Sequence, residues 1–159
     1  MTKNDTILGL AGISDKGPLA VAVGHRANIF EMTATAEQAV LRPKDPGRWP
    51  HTLRAALAAR IAALNTEEDL ARHYAVDAGQ FAGLADPNDD GVRVGFGAVV
   101  AHIDKVATRT KDVNAADIEA LQDAGVSDAD IVRLCELNAF LAYQLRVVAG
   151  LRLMAETDA

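Results

Sequence analysis

Apolar side chains recur along this chain at intervals of three and four, the spacing of a helix with one apolar face. Leu53, Leu57, Ile61 and Leu64 form one such stripe and predict a helix over 51–64. Upstream, Ile29, Met32, Ala36 and Val40 show the same spacing within 25–40. A short apolar segment covers 6–13, and Pro18 opens a short helix through Val23. Between these and the 51–64 helix, Pro43, Pro46, Gly47 and Pro50 mark a loop. A further helix is expected from about Glu67 to Leu84, begun by Asn65 or Thr66 as cap and carrying acids in its first turn. A turn over 85–91 leads to a helix over 92–108 and a polar link over 109–113.

The final third is punctuated most clearly. Asn114 caps a helix over 115–124, with Asp117 three residues on, and Gly125 stops it in the left-handed cap position. Ser127 caps the next helix, with Asp130 at its third position. That helix runs to about Leu153 and is apolar on most sides, as expected of an element central to the domain or shared with another subunit. No alternating strand pattern competes, so the fold class is all-α.

Composition narrows the function. At 159 residues and 50% hydrophobic, the chain suits one domain with a proper core. Aromatic residues are only 4%, so an Ala-, Leu- and Val-rich core of closely approaching helices is expected. A net charge of −6 disfavours nucleic acid and anionic membrane surfaces as partners. No stretch approaches the roughly 20 apolar residues that span a bilayer. The single cysteine, Cys135, excludes an intramolecular disulfide and a Cys-based zinc site. Together with an opening that does not read as a signal peptide, this points to a cytoplasmic setting.

Residues 53–74 read LRAALAARIAALNTEEDLARHY. They resemble the core helix pair of the carboxymuconolactone decarboxylase / alkylhydroperoxidase D-like family, in which Leu-Asn-Gly-Cys-x-x-Cys is followed by a His. Leu64-Asn65-Thr66 keeps the lead-in, but the two Cys positions fall on Glu67 and Leu70, and the His position falls on His73 or Tyr74. Residues 96–153 are similar to the second half of peroxidase-related members, through Ala116–Leu121, Ala124–Asp128 and Arg146–Leu151. Gln144-Leu145 and Ala149 depart from that pattern. The resemblance implies a single antiparallel helical bundle over 1–159, with 1–50 a helical preface and 51–153 the core, and a homo-oligomer packed through the C-terminal helices.

The resemblance also implies a peroxidase with a Cys-x-x-Cys pair, yet Glu67 and Leu70 have no sulfur chemistry. Loss of thiol peroxidase activity is therefore expected, leaving a binding or partner subunit or an uncharacterised relative, with a small-molecule ligand among the candidate partners. The alternative is a non-redox enzyme acting on a small carboxylic or lactone substrate, as in the family's namesake decarboxylases. In that case His73 is the base, with Glu67 or Asp69 beside it, since Asp69 and His73 lie four apart on one helix. Cys135, mid-helix between Leu134 and Leu137, reads as a small buried hydrophobe. No cofactor is implied, and His25, His51 and His102 show no metal-ligand pairing. Asp86–Gly91 begins like a calcium loop but lacks the acid at its twelfth position, which is Gly97, and reads as a turn. Residues 121–134 imitate a DNA-binding helix-turn-helix, but Asp128 and Asp130 occupy the place where phosphates would lie. Arg54, Arg60 and Arg146 are expected to form ion pairs with acids.

Overall fold

The computed structural model describes residues 6–157, and among them every regular element is helical. Eight α-helices follow in order: α1 (Thr6–Ala11), α2 (Pro18–Gly24), α3 (Ala27–Leu41), α4 (His51–Leu64), α5 (Glu68–Ala75), α6 (Gly97–Arg109), α7 (Ala115–Asp123) and α8 (Asp128–Thr157). Short 3₁₀ turns fill Gly79–Ala85, Val92–Val94 and Thr110–Asp112. No helix among the described residues is long and apolar enough to cross a membrane.

The centre of the molecule is α4. Every residue from Leu53 to Ala62 is buried, on all sides of the helix. Its alanines let α5, α6 and α8 approach closely, and Leu53, Leu57 and Ile61 fill the space between them. A smaller cluster joins Leu19 and Val23 of α2 to Val148 and Leu151 near the end of α8.

Two guanidiniums are buried with α4, and both organise loops. Arg54 donates to the carbonyls of Trp49, Val40 and Pro46 at 3.0, 2.8 and 3.1 Å. It thus pins the proline loop through backbone oxygens, not through the acid that an ion pair requires. Arg60 does find its acid, meeting both carboxylate oxygens of Asp104 at 2.6 and 2.7 Å. It also gathers the carbonyls of Leu84, Asp86, Pro87 and Asp89. The loop that imitates a calcium site is therefore wrapped around a built-in cation. Its carboxylates serve the turn, Asp86 accepting from the Asn88 N–H and Asp89 from the Gly91 N–H.

The last two helix starts follow their sequence signals. Asn114 and Asp117 form a capping box, and the Ser127 hydroxyl accepts the Asp130 N–H. Gly125 takes φ +76° and closes α7, with Val126 N–H on the Leu121 carbonyl. Trp49 Nε1 donates to the Asp130 carbonyl, tying the proline loop to the start of α8.

Three expectations need correction. The helix expected over 67–84 ends at Ala75, because Gly79 takes φ +53° and turns the chain back against Thr52 of α4. The helix expected over 92–108 starts at Gly97, since Gly91 and Gly95 both adopt positive φ. In α3 the apolar stripe faces outward: Ile29, Met32 and Ala36 are exposed, while Thr33, Glu37 and Leu41 are buried. The buried polar atoms are satisfied, Thr33 Oγ1 bonding the Ile29 carbonyl and the Tyr143 hydroxyl at 2.9 and 2.8 Å.

Candidate functional site

The turn between α4 and α5 and the first turn of α5 carry the positions where the family resemblance places sulfur. α4 closes with Thr66 N–H on the Ala63 carbonyl and Glu67 N–H on the Ala62 carbonyl, both at 3.0 Å. This pairing demands a left-handed residue at Thr66, which takes φ 60°. Glu67 then turns to Arg152 of α8 at 2.6 Å, and Arg152 also donates to the Leu10 carbonyl of α1. Leu70 is 1% exposed and belongs to the main core. One position thus joins the start of α5 to α8 by charge, through an arginine that also holds the α1 carbonyl, and the other fills the interior.

Neither acid is aimed at His73. Asp69 pairs with Arg72 and lies 3.8 Å from Arg152. His73 is exposed and makes no hydrogen bond or ion pair among the described residues; its ring meets Tyr74 edge-on at 5.0 Å. The helix spacing does put Asp69 and His73 on neighbouring turns, but the arginines take the carboxylate.

Tyr74, the other residue on the family's His position, points inward. Its hydroxyl donates to Gln144 Oε1 at 2.7 Å, and Gln144 Nε2 donates to Glu37 Oε2 at 3.2 Å. Glu37 Oε1 accepts from Thr6 at 3.0 Å. This chain crosses the core from α5 through α8 to α3 and α1. Burial, with the Glu37 carboxylate next in weight, pushes the Tyr74 phenol far above its ordinary range, so Tyr74 is a neutral donor at any physiological pH. The departures at Tyr74 and Gln144 are therefore two ends of one hydrogen bond. Beside Tyr74 lies a cavity of about 210 Å³ reached by Arg42, His51, Thr52 and Asp77. Arg42 and Asp77 pair with each other, and His51 bonds the Pro43 carbonyl. Gln144 showed in the sequence only as a departure from the family pattern, and Glu37 only as a polar letter inside a helical run.

Cys135 lies elsewhere, and it is exposed rather than buried. It lines a groove between α4, α6 and α8. Desolvation against its groove, followed by Glu136, raises the thiol's pKa, the reverse of an activated nucleophile. The groove holds a cavity of about 330 Å³ between α4, α6 and α8. Arg146, expected in an ion pair, is exposed there and donates only to the Ala142 carbonyl among the described residues. His102 of α6 is buried with neither ring nitrogen hydrogen-bonded, and burial lowers its pKa. No group of three His, Cys, Asp or Glu among the described residues is placed to hold a metal ion.

Compared with known protein families, curated proteins and solved structures, the chain matches none.

Proposed function

We propose that this protein is a relative of the alkylhydroperoxidase D-like proteins that has no thiol peroxidase activity and acts by binding. The observation that carries this reading is the fate of the two dithiol positions. Glu67 is committed to an ion pair with Arg152, Leu70 is sealed in the core, and the lone thiol sits on another helix with a raised pKa. A peroxidatic sulfur needs a depressed pKa and a resolving partner, and Cys135 has neither. The acid–base alternative on His73 has less support, because Glu67 and Asp69 face arginines and His73 stands on open surface. The purified chain should consume hydrogen peroxide or cumene hydroperoxide in the presence of dithiothreitol no faster than buffer does. Turnover that disappears in Cys135→Ser overturns the reading.

Self-association belongs to the same reading. Ile29 and Met32 of α3 stand exposed, as do Leu153 and Met154 at the end of α8. An outward apolar face of this kind suits a second copy of the chain. Light scattering coupled to size exclusion should give a mass above that of one chain, and Met32→Glu with Met154→Glu should return it to the monomer.

A further inference from the structure

His102 of α6 is 4% exposed, and both its ring nitrogens are shut off from solvent without a hydrogen-bond partner among the described residues. A neutral imidazole tolerates this at the cost of one unanswered donor. An imidazolium does not, because it brings two donors and a charge into the same enclosed place. His102 and Lys105 lie three residues apart, on one face of α6. Lys105 Nζ meets both carboxylate oxygens of Asp117 on α7 at 2.7 Å. The ring therefore lies on the side of α6 that α7 covers. Asp117 and Lys105 are the charged groups that act on it, the first favouring the imidazolium and the second opposing it. The helices α4 and α8 and the turns packed on α6 bring no further charge to bear among the described residues. Asp117 is already committed to Lys105 and to the Asn114 N–H at 2.8 Å.

The cover is lightly held. Leu121 supplies the buried side chain of α7, which packs chiefly on α6 and α8. The chain enters α7 through the extended Val113 and leaves it through Gly125 at φ +76°. Arg48 donates to the Gly125 carbonyl at 2.6 Å, which fixes the far end and leaves the near end able to swing. We propose that α7 is an acid-operated flap: a proton on His102 opens the seam between α6 and α7, with α7 pivoting at Gly125 while the core around α4 stays folded. The imidazolium is hydrated only in the open form, so the open form takes the proton first. Its population rises as pH falls below about 6.5, by up to tenfold per pH unit for one proton. Opening uncovers Leu121 and the face of α6 beneath it.

Native-state hydrogen exchange on the full chain tests this, read by NMR as protection factors so that the intrinsic pH dependence of exchange is removed. Amides of residues 120–124 should be protected at least about tenfold less than those of residues 57–62. Up to about 1 M urea should leave the α7 protection unchanged and lower that of α4, since only whole-molecule unfolding exposes much surface. Between pH 6.5 and 5.5 the α7 protection should fall about five- to tenfold. His102→Gln and His102→Leu, neither of which can take up the proton, should each abolish that fall. Two results on the unmodified chain overturn the inference: α7 amides that share the protection and urea response of α4, or α7 protection that is constant between pH 6.5 and 5.5. A fall that persists in either folded variant overturns it as well.

Discussion

Thr66 is the clearest case of one residue accepting a conformation for the sake of its neighbours. It is the only non-glycine among the described residues with positive φ. A β-branched side chain in the left-handed region costs about 1–2 kcal/mol, which glycine avoids at some expense in unfolded-state entropy. Thr66→Gly should therefore stabilise the protein by about 1 kcal/mol in urea unfolding. The family pattern that residues 53–74 resemble has Gly at this position. Arg60 is the opposite case, a side chain whose role no local pattern announces. Arg60→Lys keeps the charge but cannot serve Asp104 and four carbonyls at once. The cost should be at least about 3 kcal/mol by the same measurement, because buried acceptors are left without donors.

Among elements, α7 and the start of α8 were legible because their caps are written in adjacent residues. Asn114 and Asp117 stand three positions apart, and Gly125 and Ser127 two. The end of α5 was not, because it depends on Gly79 meeting Thr52 of another helix. A methyl at Gly79 would sit 3.2 Å from the Thr52 Cγ2 on a backbone that already disfavours a side chain. Gly79→Ala should cost about 1–2 kcal/mol and lower the urea midpoint without changing helix content by circular dichroism. α3 misled for a related reason. Its period of four was real, but Gln144 and Tyr143 of α8 supply partners to Glu37 and Thr33, which draws the polar face inward. Periodicity finds a helix; it does not say which face the rest of the chain can satisfy.

At the scale of the whole molecule, protons link stability to pH in two windows. The His102 imidazole is held below its ordinary value of 6.5 by burial, with Asp117 partly opposing and Lys105 adding to the effect. Below about pH 6.5 the unfolded chain takes up a proton there that the folded chain refuses, so stability falls as pH falls. That loss continues until the lower folded value is reached. His102→Leu should flatten this dependence between pH 7.5 and 5.5 in urea unfolding. It should also add about 1 kcal/mol near pH 7 by removing a buried donor without an acceptor. A second loss follows at lower pH from carboxylates held below their ordinary value. Asp117 is held down by Lys105 and then by the Asn114 N–H, and Asp86 by the Asn88 N–H. Their contribution is present above about pH 4 and disappears as pH falls through their depressed values.

Local chemistry alone was enough to establish a helical chain, the bounds of its central helix, the caps of its last two helices and the absence of a dithiol. These depend on residues within one or two turns of each other, where spacing and cap preference act before any tertiary contact forms. Distant contacts decided the rest. They set whether Cys135 faces solvent or core, which acid Arg60 meets, that Tyr74 and Gln144 share a hydrogen bond across 70 positions, and that His102 is buried with both ring nitrogens unanswered. Each of these depends on which helix lies alongside, and that neighbour is chosen by the packing of the whole core around α4.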